Sequence, residues 1–314
     1  MATPCHGNFF STTLYNFMNY VITGSLGNIS KPIVQGLLRA GHAVHVLTRS
    51  EETAAQITAL GATPLIGDME QADFVHTAFA GADAVYTMIP PNFTTDNFRA
   101  YQNRVGKNMA DAISAHAIKK VVNLSSVGAH LGNGAGVVDG LADFEQMLNA
   151  IENIDVKHLR PSFFYQNFYT QIGMISSMGI MGSNYAGDIP MALVHVNDIA
   201  AAALEELSAL NFSGSSVRYI VSDIRTSNDV AALISEAVGK SIPWVEFPDE
   251  QQKAAMLSMG MKETLVDGYQ ELGRGFRLGL LMSDYLASDT PLAPTKLEEF
   301  VAEFAPAVKA ALPS

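Results

Sequence analysis

The segment Tyr20 to Ser30, YVITGSLGNIS, holds the residues whose spacing has the plainest chemical consequence. A short apolar run, Tyr20-Val21-Ile22, leads into Gly24-x-x-Gly27, and Ile29, Ile33 and Leu37 follow at helical spacing. A strand, a tight turn and a helix start in that order gather free backbone N–H groups at one point. The helix dipole adds a preference for negative charge there, so a phosphate suits the turn. Gly24 permits a bend that a Cβ would hinder, and Gly27 lets backbone approach a pyrophosphate closely. Ser30 stands at the third small position, where a glycine would pack helix against strand. Leu26, Asn28 and Ile29 complete the expected cofactor-binding turn of a dinucleotide site; an ordinary βα turn without a ligand is the alternative.

Other candidates sit where further strands are expected to end. Arg49 follows the apolar run Ala43–Thr48. An acid at that place would accept from the ribose 2′-OH of NAD, whereas an arginine pairs with the 2′-phosphate of NADP, so NADP(H) is expected over NAD(H). The bland reading of Arg49 is a solvated surface charge. Asp68, after Gly67, could accept from an adenine amino group or form the turn that starts the next helix; both can hold at once. Met69 follows it. Met88, Ile89 and Pro90 would present backbone to the adenosine and ribose, and Ser125 would lie near the nicotinamide, either bonding a substrate carbonyl or turning the chain.

These positions need a frame. Strands are expected at Tyr20–Ile22, Ala43–Thr48, Thr63–Ile66, Ala84–Ile89, Val121–Leu124, Val156–Leu159, Val217–Val221 and Ile242–Phe247. Helices are expected at Glu51–Leu60, Ala72–Phe79, Thr95–Ala117, Asp143–Ile151, Ile199–Leu207 with Asp198 as N-cap, and Ser227–Val238. Short apolar strands alternating with helices predict an α/β fold, a Rossmann-type doubly wound parallel sheet, with ligand outside the strand carboxyl ends. The late sequence predicts a small, mainly helical C-terminal lobe. The expected division is an extension over 1–17, a nucleotide-binding core over 18–160, and remaining sheet elements interwoven with the substrate lobe over 161–314.

Composition narrows the partners. The chain has 314 residues, with 19 Lys and Arg against 31 Asp and Glu, a net charge of −12. Nucleic acid and anionic membranes reward basic patches and are not expected partners. Cys5 is the single cysteine, so no internal disulfide and no cysteine zinc site can form; this suits a reducing cytoplasm. No segment reads as a membrane span. Residues 1–17 lack the pattern of a signal peptide and precede a natural start at Met18, which predicts a dispensable extension. A homodimer is compatible with this reading.

Six segments in order carry a family resemblance: ITGSLGNIS, LTR at Arg49, GD at Asp68, NLSSVG at Ser125, LRPSFFYQNF from Leu159 and HVNDIAAAALEEL from His195. In these the chain after Met18 resembles the NmrA-like, atypical branch of the short-chain dehydrogenase/reductases. The resemblance implies an NAD(P)H-dependent reductase, as in quinone and phenylpropanoid reductases, or a redox-sensing regulator that binds NADP without catalysis. It also implies that Pro161 and Phe163 border the nicotinamide. The wider superfamily's Tyr-x-x-x-Lys would fall around 137–145, where the residues are VVDGLADFE, with neither Tyr nor Lys. His130 reads as a surface histidine and His195 as structural at a strand end. Tyr165 and Tyr169 read as a helical pair more often core than cleft. Met174, Ile175, Met178, Ile180, Met181 and Met191 would cover the nicotinamide side or pack the lobe; Trp244 and Phe247 read as core.

The preferred function is NADPH-dependent reduction of a small apolar carbonyl or quinone by hydride transfer, since quinone reduction asks less of a protein acid. The alternative is a non-catalytic NADP(H) sensor acting through a protein partner. An epimerase or dehydratase ranks last.

Overall fold

Strands and helices alternate through the first half of the chain. In the computed structural model, which describes residues 17–312, the order is β1 (Asn19–Ile22), α1 (Ser30–Arg39), β2 (Ala43–Thr48), α2 (Glu51–Ala59), β3 (Thr63–Ile66), α3 (Ala72–Phe79), β4 (Ala84–Thr87), α4 (Phe98–Ala115), β5 (Lys120–Leu124), α5 (Asp139–Asn149) and β6 (Asp155–Pro161). The second half follows as β7 (Phe163–Phe164), α6 (Ile172–Met178), β8 (Met181–Ser183), β9 (Pro190–Val194), α7 (Val196–Ala209), β10 (Ser215–Ile220), β11 (Asp223–Thr226), α8 (Ser227–Val238), β12 (Trp244–Glu246), α9 (Asp249–Ser258), α10 (Glu263–Arg277), α11 (Ser283–Leu286) and α12 (Leu297–Ala311). The expected extension over 1–17 and Cys5 lie outside the described residues, Phe17 excepted.

The main sheet has seven strands, ordered β10-β6-β5-β4-β1-β2-β3, and every pairing in it is parallel. This is the Rossmann-type doubly wound fold, with the order reversing at β1 and β4. Both faces are covered, which is why its central strands read as unbroken apolar runs. Ile33, Val34 and Leu37 of α1 pack with Ile199, Ala203 and Leu207 of α7 against Ile22, Val46, Leu124 and Leu159 on one face. Val75, Val105, Met109, Phe144 and Leu148 pack on Val21, Val85, Val121 and Val156 on the other. Each such buried aliphatic side chain contributes about 1.5–3 kcal/mol. The C-terminal elements form a mainly helical lobe around Phe300, Phe304, Tyr165, Phe168 and Ile234, with a three-stranded sheet (β11-β9-β7) and a two-stranded one (β12-β8).

Several boundaries differ from expectation, the helix starts among them for side-chain reasons. The helix expected from Thr95 begins at Phe98 because Asn97 caps it, its Oδ1 accepting from Ala100 N at 2.9 Å. The helix expected from Asp143 begins at Asp139, whose carboxylate accepts from the N–H groups of Gly134 and Ala135 at 3.2 and 2.9 Å. Asp198 is not an N-cap. His195 caps α7, its Nδ1 accepting from Asn197 N, while the buried Asp198 carboxylate accepts from Ser222 Oγ at 2.6 Å and Thr295 Oγ1 at 2.9 Å. The fourth strand stops at Thr87, and β12 pairs with β8 in the lobe instead of joining the main sheet.

Candidate functional site

The Gly24–Gly27 turn stands at the carboxyl end of β1, at the switch point of the sheet. Gly24 has φ +86°, and a Cβ there would come within 2.6 Å of Met88 Cγ and Sδ, so the turn admits only glycine. Gly27 is open: a Cβ would meet only Gly24 O, at 3.6 Å. Ser25 adopts φ +57°, a left-handed conformation that costs about 1 kcal/mol in a non-glycine residue. Its hydroxyl donates to Thr48 Oγ1 at 3.1 Å, tying the turn to the end of β2. Ser30, in place of a third glycine, donates to Thr23 O at 3.2 Å and so packs helix to strand by a hydrogen bond. α1 starts without a capping side chain and with no acid in its first turn. Its leading amides are therefore left for an anion. Gly27 and Asn28 are exposed, Leu26 half-buried and Ile29 buried.

A cavity of about 110 Å³ opens beside this turn, lined by Gly24, Ser25, Leu47, Thr48, Arg49, Gly67, Asp68, Met69, Pro90 and Tyr101. Five of the residues expected to bind a cofactor thus meet in one wall. Arg49 is exposed and makes no ion pair among the described residues. Asp68 forms the turn before α3, its Oδ1 accepting from Glu70 N at 2.9 Å, and still borders the cavity. Met88 and Ile89 lie next to Pro90; Met88 N–H donates to Thr23 Oγ1 at 2.7 Å and Thr23 Oγ1 donates to Met88 O at 3.0 Å, joining the ends of β1 and β4. Sequence reasoning missed Ser25, Thr48 and Tyr101. The Tyr101 phenol, raised by burial, stays a neutral donor to Pro90 O at 2.9 Å.

The far end, where β5 and β6 finish, is built from buried polar groups. Ser125 and Ser162 are 4% and 3% exposed; the Ser162 hydroxyl makes no hydrogen bond among the described residues, and Ser125 lies close enough to Glu145 to help keep its carboxyl ionised. Pro161 is buried and Phe163 half-buried, Phe163 lying edge-on to Phe276 with centroids 6.1 Å apart. Arg160 forks onto Glu145 of α5, with Nε to Oε1 at 3.0 Å and Nη2 to Oε2 at 2.6 Å, and its Nη1 donates to Asp284 at 2.9 Å and to Tyr219 Oη at 3.1 Å. Burial, the largest influence, opposes ionisation of Glu145, but the Arg160 hydrogen bonds together with the Arg160 charge and neighbouring polar groups outweigh it and hold the carboxyl below its ordinary range. One layer down, Asn123 donates to His158 Nδ1 at 3.1 Å while His158 Nε2 donates to Asn149 Oδ1 at 2.9 Å; burial pushes this imidazole down to about 4.

The region of the absent Tyr-x-x-x-Lys is occupied by an ion cluster. Arg99 reaches Asp143 at 2.7 and 2.8 Å, Asp139 at 3.4 Å, Asn133 at 2.9 Å and Gly132 O at 3.2 Å, fixing the glycine-rich loop before α5. His130 lies in that loop, half-buried, with Nε2 3.0 Å from Ser283 Oγ. Ser283 donates its own proton to Leu280 O at 2.8 Å, so the His130 Nε2–H is the donor of the pair. The expected tyrosine pair packs the lobe: Tyr165 stacks on Phe300 at 5.3 Å and Tyr169 meets Phe304 edge-on at 4.8 Å. Met181, Met191 and Ile175 are buried in the same lobe core, while Met178 is 60% exposed. Trp244 is half-buried there, its Nε1 donating to Tyr185 O at 3.0 Å.

The geometry suits a dinucleotide: a glycine cradle that a Cβ would fill and an uncapped helix start beside an open cavity. Comparison with known proteins agrees with the fold. The profile of the NmrA-like family matches residues 19–301. The NAD(P)H azoreductase of Xenophilus azovorans is 26% identical over 294 residues, covering 93% of this chain and 98% of that protein. Quinone oxidoreductase 2 of Escherichia coli is 23% identical over 265 residues, covering 84% and 90%. Among solved structures, the E. coli NADPH-dependent quinone oxidoreductase complexed with NADPH superposes with a TM-score of 0.76 at 22% identity, covering 91% of this chain and 99% of that one. Triphenylmethane reductase of Citrobacter sp. complexed with NADP(H) gives 0.75 at 20% identity, covering 90% and 99%.

Proposed function

We propose, on the premise that this chain belongs to the NmrA-like family, as the match over residues 19–301 shows, that it is an NADPH-dependent oxidoreductase reducing a small apolar carbonyl or quinone. The observation that carries the reading is the cleft wall that brings Gly24, Arg49, Asp68, Met69 and Pro90 together from four strand ends. The relatives named as NAD(P)H azoreductase and quinone oxidoreductase support the reaction class. A reducing cytoplasm suits such a cofactor, and no helix among the described residues is long and apolar enough to cross a membrane.

In this reading the Gly24–Gly27 turn and the first amides of α1 bind the pyrophosphate. Arg49 pairs with the 2′-phosphate, Asp68 accepts from the adenine amino group, and the backbone of Met88, Ile89 and Pro90 borders the ribose. Leu26, Asn28 and Ile29 complete the turn, and Pro161 and Phe163 border the nicotinamide ring. When bound, the nucleotide supplies the hydride. A quinone takes that hydride and one proton to become the hydroquinone, and because a phenolate is a weak base the proton can come from water. The missing Tyr-Lys pair is then tolerable. Ser125 is the candidate for the acceptor's carbonyl.

The test is fluorescence titration of the purified protein with NADPH and NADH, followed by addition of a quinone panel. Tighter binding of NADPH and its oxidation on adding a quinone are expected. Tight binding with no turnover on any quinone or carbonyl would leave the sensor as the better reading, and binding of neither nucleotide would remove both.

A further inference from the structure

The carboxyl ends of β5, β6 and β10 carry an apolar cluster of their own, apart from the cores on the two faces of the sheet and inside the lobe. It comprises Val127, Ala192, Tyr219, Val221, Met282 and Tyr285. Ligands of doubly wound sheets lie outside such strand ends. The cluster also adjoins the residue expected to border the nicotinamide, since Val127 N donates to Pro161 O at 3.0 Å. Val127, Ala192, Tyr219 and Val221 stand on β9, on β10 and its end, and on the turn after β5. Met282 and Tyr285 come to them from the short helix α11 and its N-cap. The Tyr285 ring meets Tyr219 edge-on, with centroids 5.9 Å apart, and Met282 Sδ accepts from Ala192 N at 3.2 Å.

α11 is a single turn, too short to hold its shape without tertiary support. It lies in a stretch, 282–292, that is fixed at both ends. Leu281 is buried in the lobe core, and Ala293 N donates to Val221 O at 2.7 Å. Between those anchors two side-chain contacts tie α11 down: Arg160 Nη1 to Asp284 at 2.9 Å and His130 Nε2 to Ser283 Oγ at 3.0 Å. Both can be released without stranding a partner. Arg160 keeps its two bonds to Glu145, Asp284 is already half-exposed, and Ser283 keeps its bond to Leu280 O. Leu286 and Leu292 on the same stretch are 64% and 45% exposed, so only part of its apolar surface is committed to the cluster.

We propose that residues 282–292 are a displaceable plug, in which Met282 and Tyr285 hold the place that a planar aromatic acceptor takes when α11 lifts. The plug rests on the reductase reading above and narrows its acceptor to a flat ring that Tyr219 receives edge-on, as it now receives Tyr285. Lifting α11 exposes Met282 and Tyr285, and a ring entering the recess restores the lost apolar burial. Plug and acceptor therefore compete for one space. The apparent affinity for the acceptor is lowered by the fraction of molecules in which the plug is seated.

Hydrogen exchange of the free wild-type protein, followed by mass spectrometry, reads the plug without any acceptor. The amides of Leu286, Ala287 and Ser288, which are bonded within α11, should open by a local route at least about a hundredfold more often than those of β1 and β4. Exchange of both only through global unfolding overturns the proposal. Asp284→Asn should speed the α11 amides about fivefold further and leave β1 and β4 as they were. Adding menadione to the NADP+ complex, which cannot turn over, should also speed them; slower or unchanged exchange overturns the proposal. Steady-state kinetics with NADPH and menadione then read the competition. Tyr285→Ala empties the recess, so KM for menadione should fall about fivefold while NADP+ affinity by calorimetry is unchanged. A raised or unchanged KM makes Tyr285 part of a fixed wall and overturns the proposal. A wild-type protein that binds NADPH but reduces no quinone or carbonyl removes the reductase reading, and the plug as an acceptor gate falls with it whatever its exchange.

Discussion

The two ends of the cleft are made differently. At the end formed by β1 to β4 a glycine turn, an exposed arginine and a short Gly-Asp turn border an open cavity, and Arg49 carries its charge without an ion-pair partner among the described residues. At the end formed by β5 and β6, Arg160 and Glu145 are buried and paired, and Arg160 also reaches the half-exposed Asp284, over a hydrogen-bonded layer through Asn123 and His158. One end is local and offers backbone groups and a long-reaching charge. The other is assembled from β6, α5 and β10, and beneath the docked α11 it is rigid. The first end can therefore be altered at small cost to the fold, whereas the second cannot.

The largest expected effect tests that rigidity. Glu145→Leu removes the bidentate carboxylate of the buried Arg160, leaving it only the half-exposed Asp284, and should lower unfolding free energy by about 3 kcal/mol in chemical denaturation; a loss below about 1 kcal/mol would show that this end is as forgiving as the other. Next is His158. Its folded pKa is depressed to about 4 by burial, so between about 6.5 and 4 the unfolded chain takes up a proton that the folded one refuses. Stability should then be complete above about pH 6.5 and fall by on the order of 3 kcal/mol as pH drops through that window. His158→Gln should flatten the decline, and an unchanged slope would assign it elsewhere.

At the open end the effects are smaller and fall on binding. Gly24→Ala must place a Cβ 2.6 Å from Met88 at φ +86°, and should weaken NADPH binding at least tenfold while costing about 1–2 kcal/mol of stability. Retained affinity would mean that the turn does not touch the ligand. Arg49→Glu should weaken NADPH about tenfold, leave NADH binding unchanged or improved, and leave the melting temperature as it was. An equal loss for both nucleotides would remove Arg49 from the 2′-phosphate.

That contrast also explains what the sequence made legible. The alternation of elements, the Gly24 turn and the places of Arg49 and Asp68 are written within a few residues of one another, as strand, turn and helix start. The partners that make the chemical end are not: Arg160 meets Asp284 across 124 positions and Tyr219 across 59. No periodicity in the chain announces that Ser162 will be buried where β6 closes against β10. The misplaced start of α5 has the same origin, because Asp139 serves loop amides and Arg99 rather than an apolar face. Asp198 looked like a cap because its type and position fit one; Ser222 and Thr295, distant in sequence, claimed it instead.

The place of β10 has a consequence for how the chain is made. Its neighbour β6 is finished at Pro161, but the strand that covers β6 is not synthesised until Ile220, after the chain has gone out to β7–β9 and returned through α7. Until then the emerging polypeptide carries β6 as a bare edge, the kind of surface that pairs with a second copy. Asp155 and Gly214 close the gap on the chain's return: Gly214 N donates to Asp155 Oδ1 at 2.8 Å and Val156 N to Gly214 O at 2.8 Å, which fixes the register of β10 on β6. The nucleotide half can thus be complete in sequence yet unfinished as a sheet on the ribosome, and a chain halted between residues 161 and 215 is the form most exposed to aggregation.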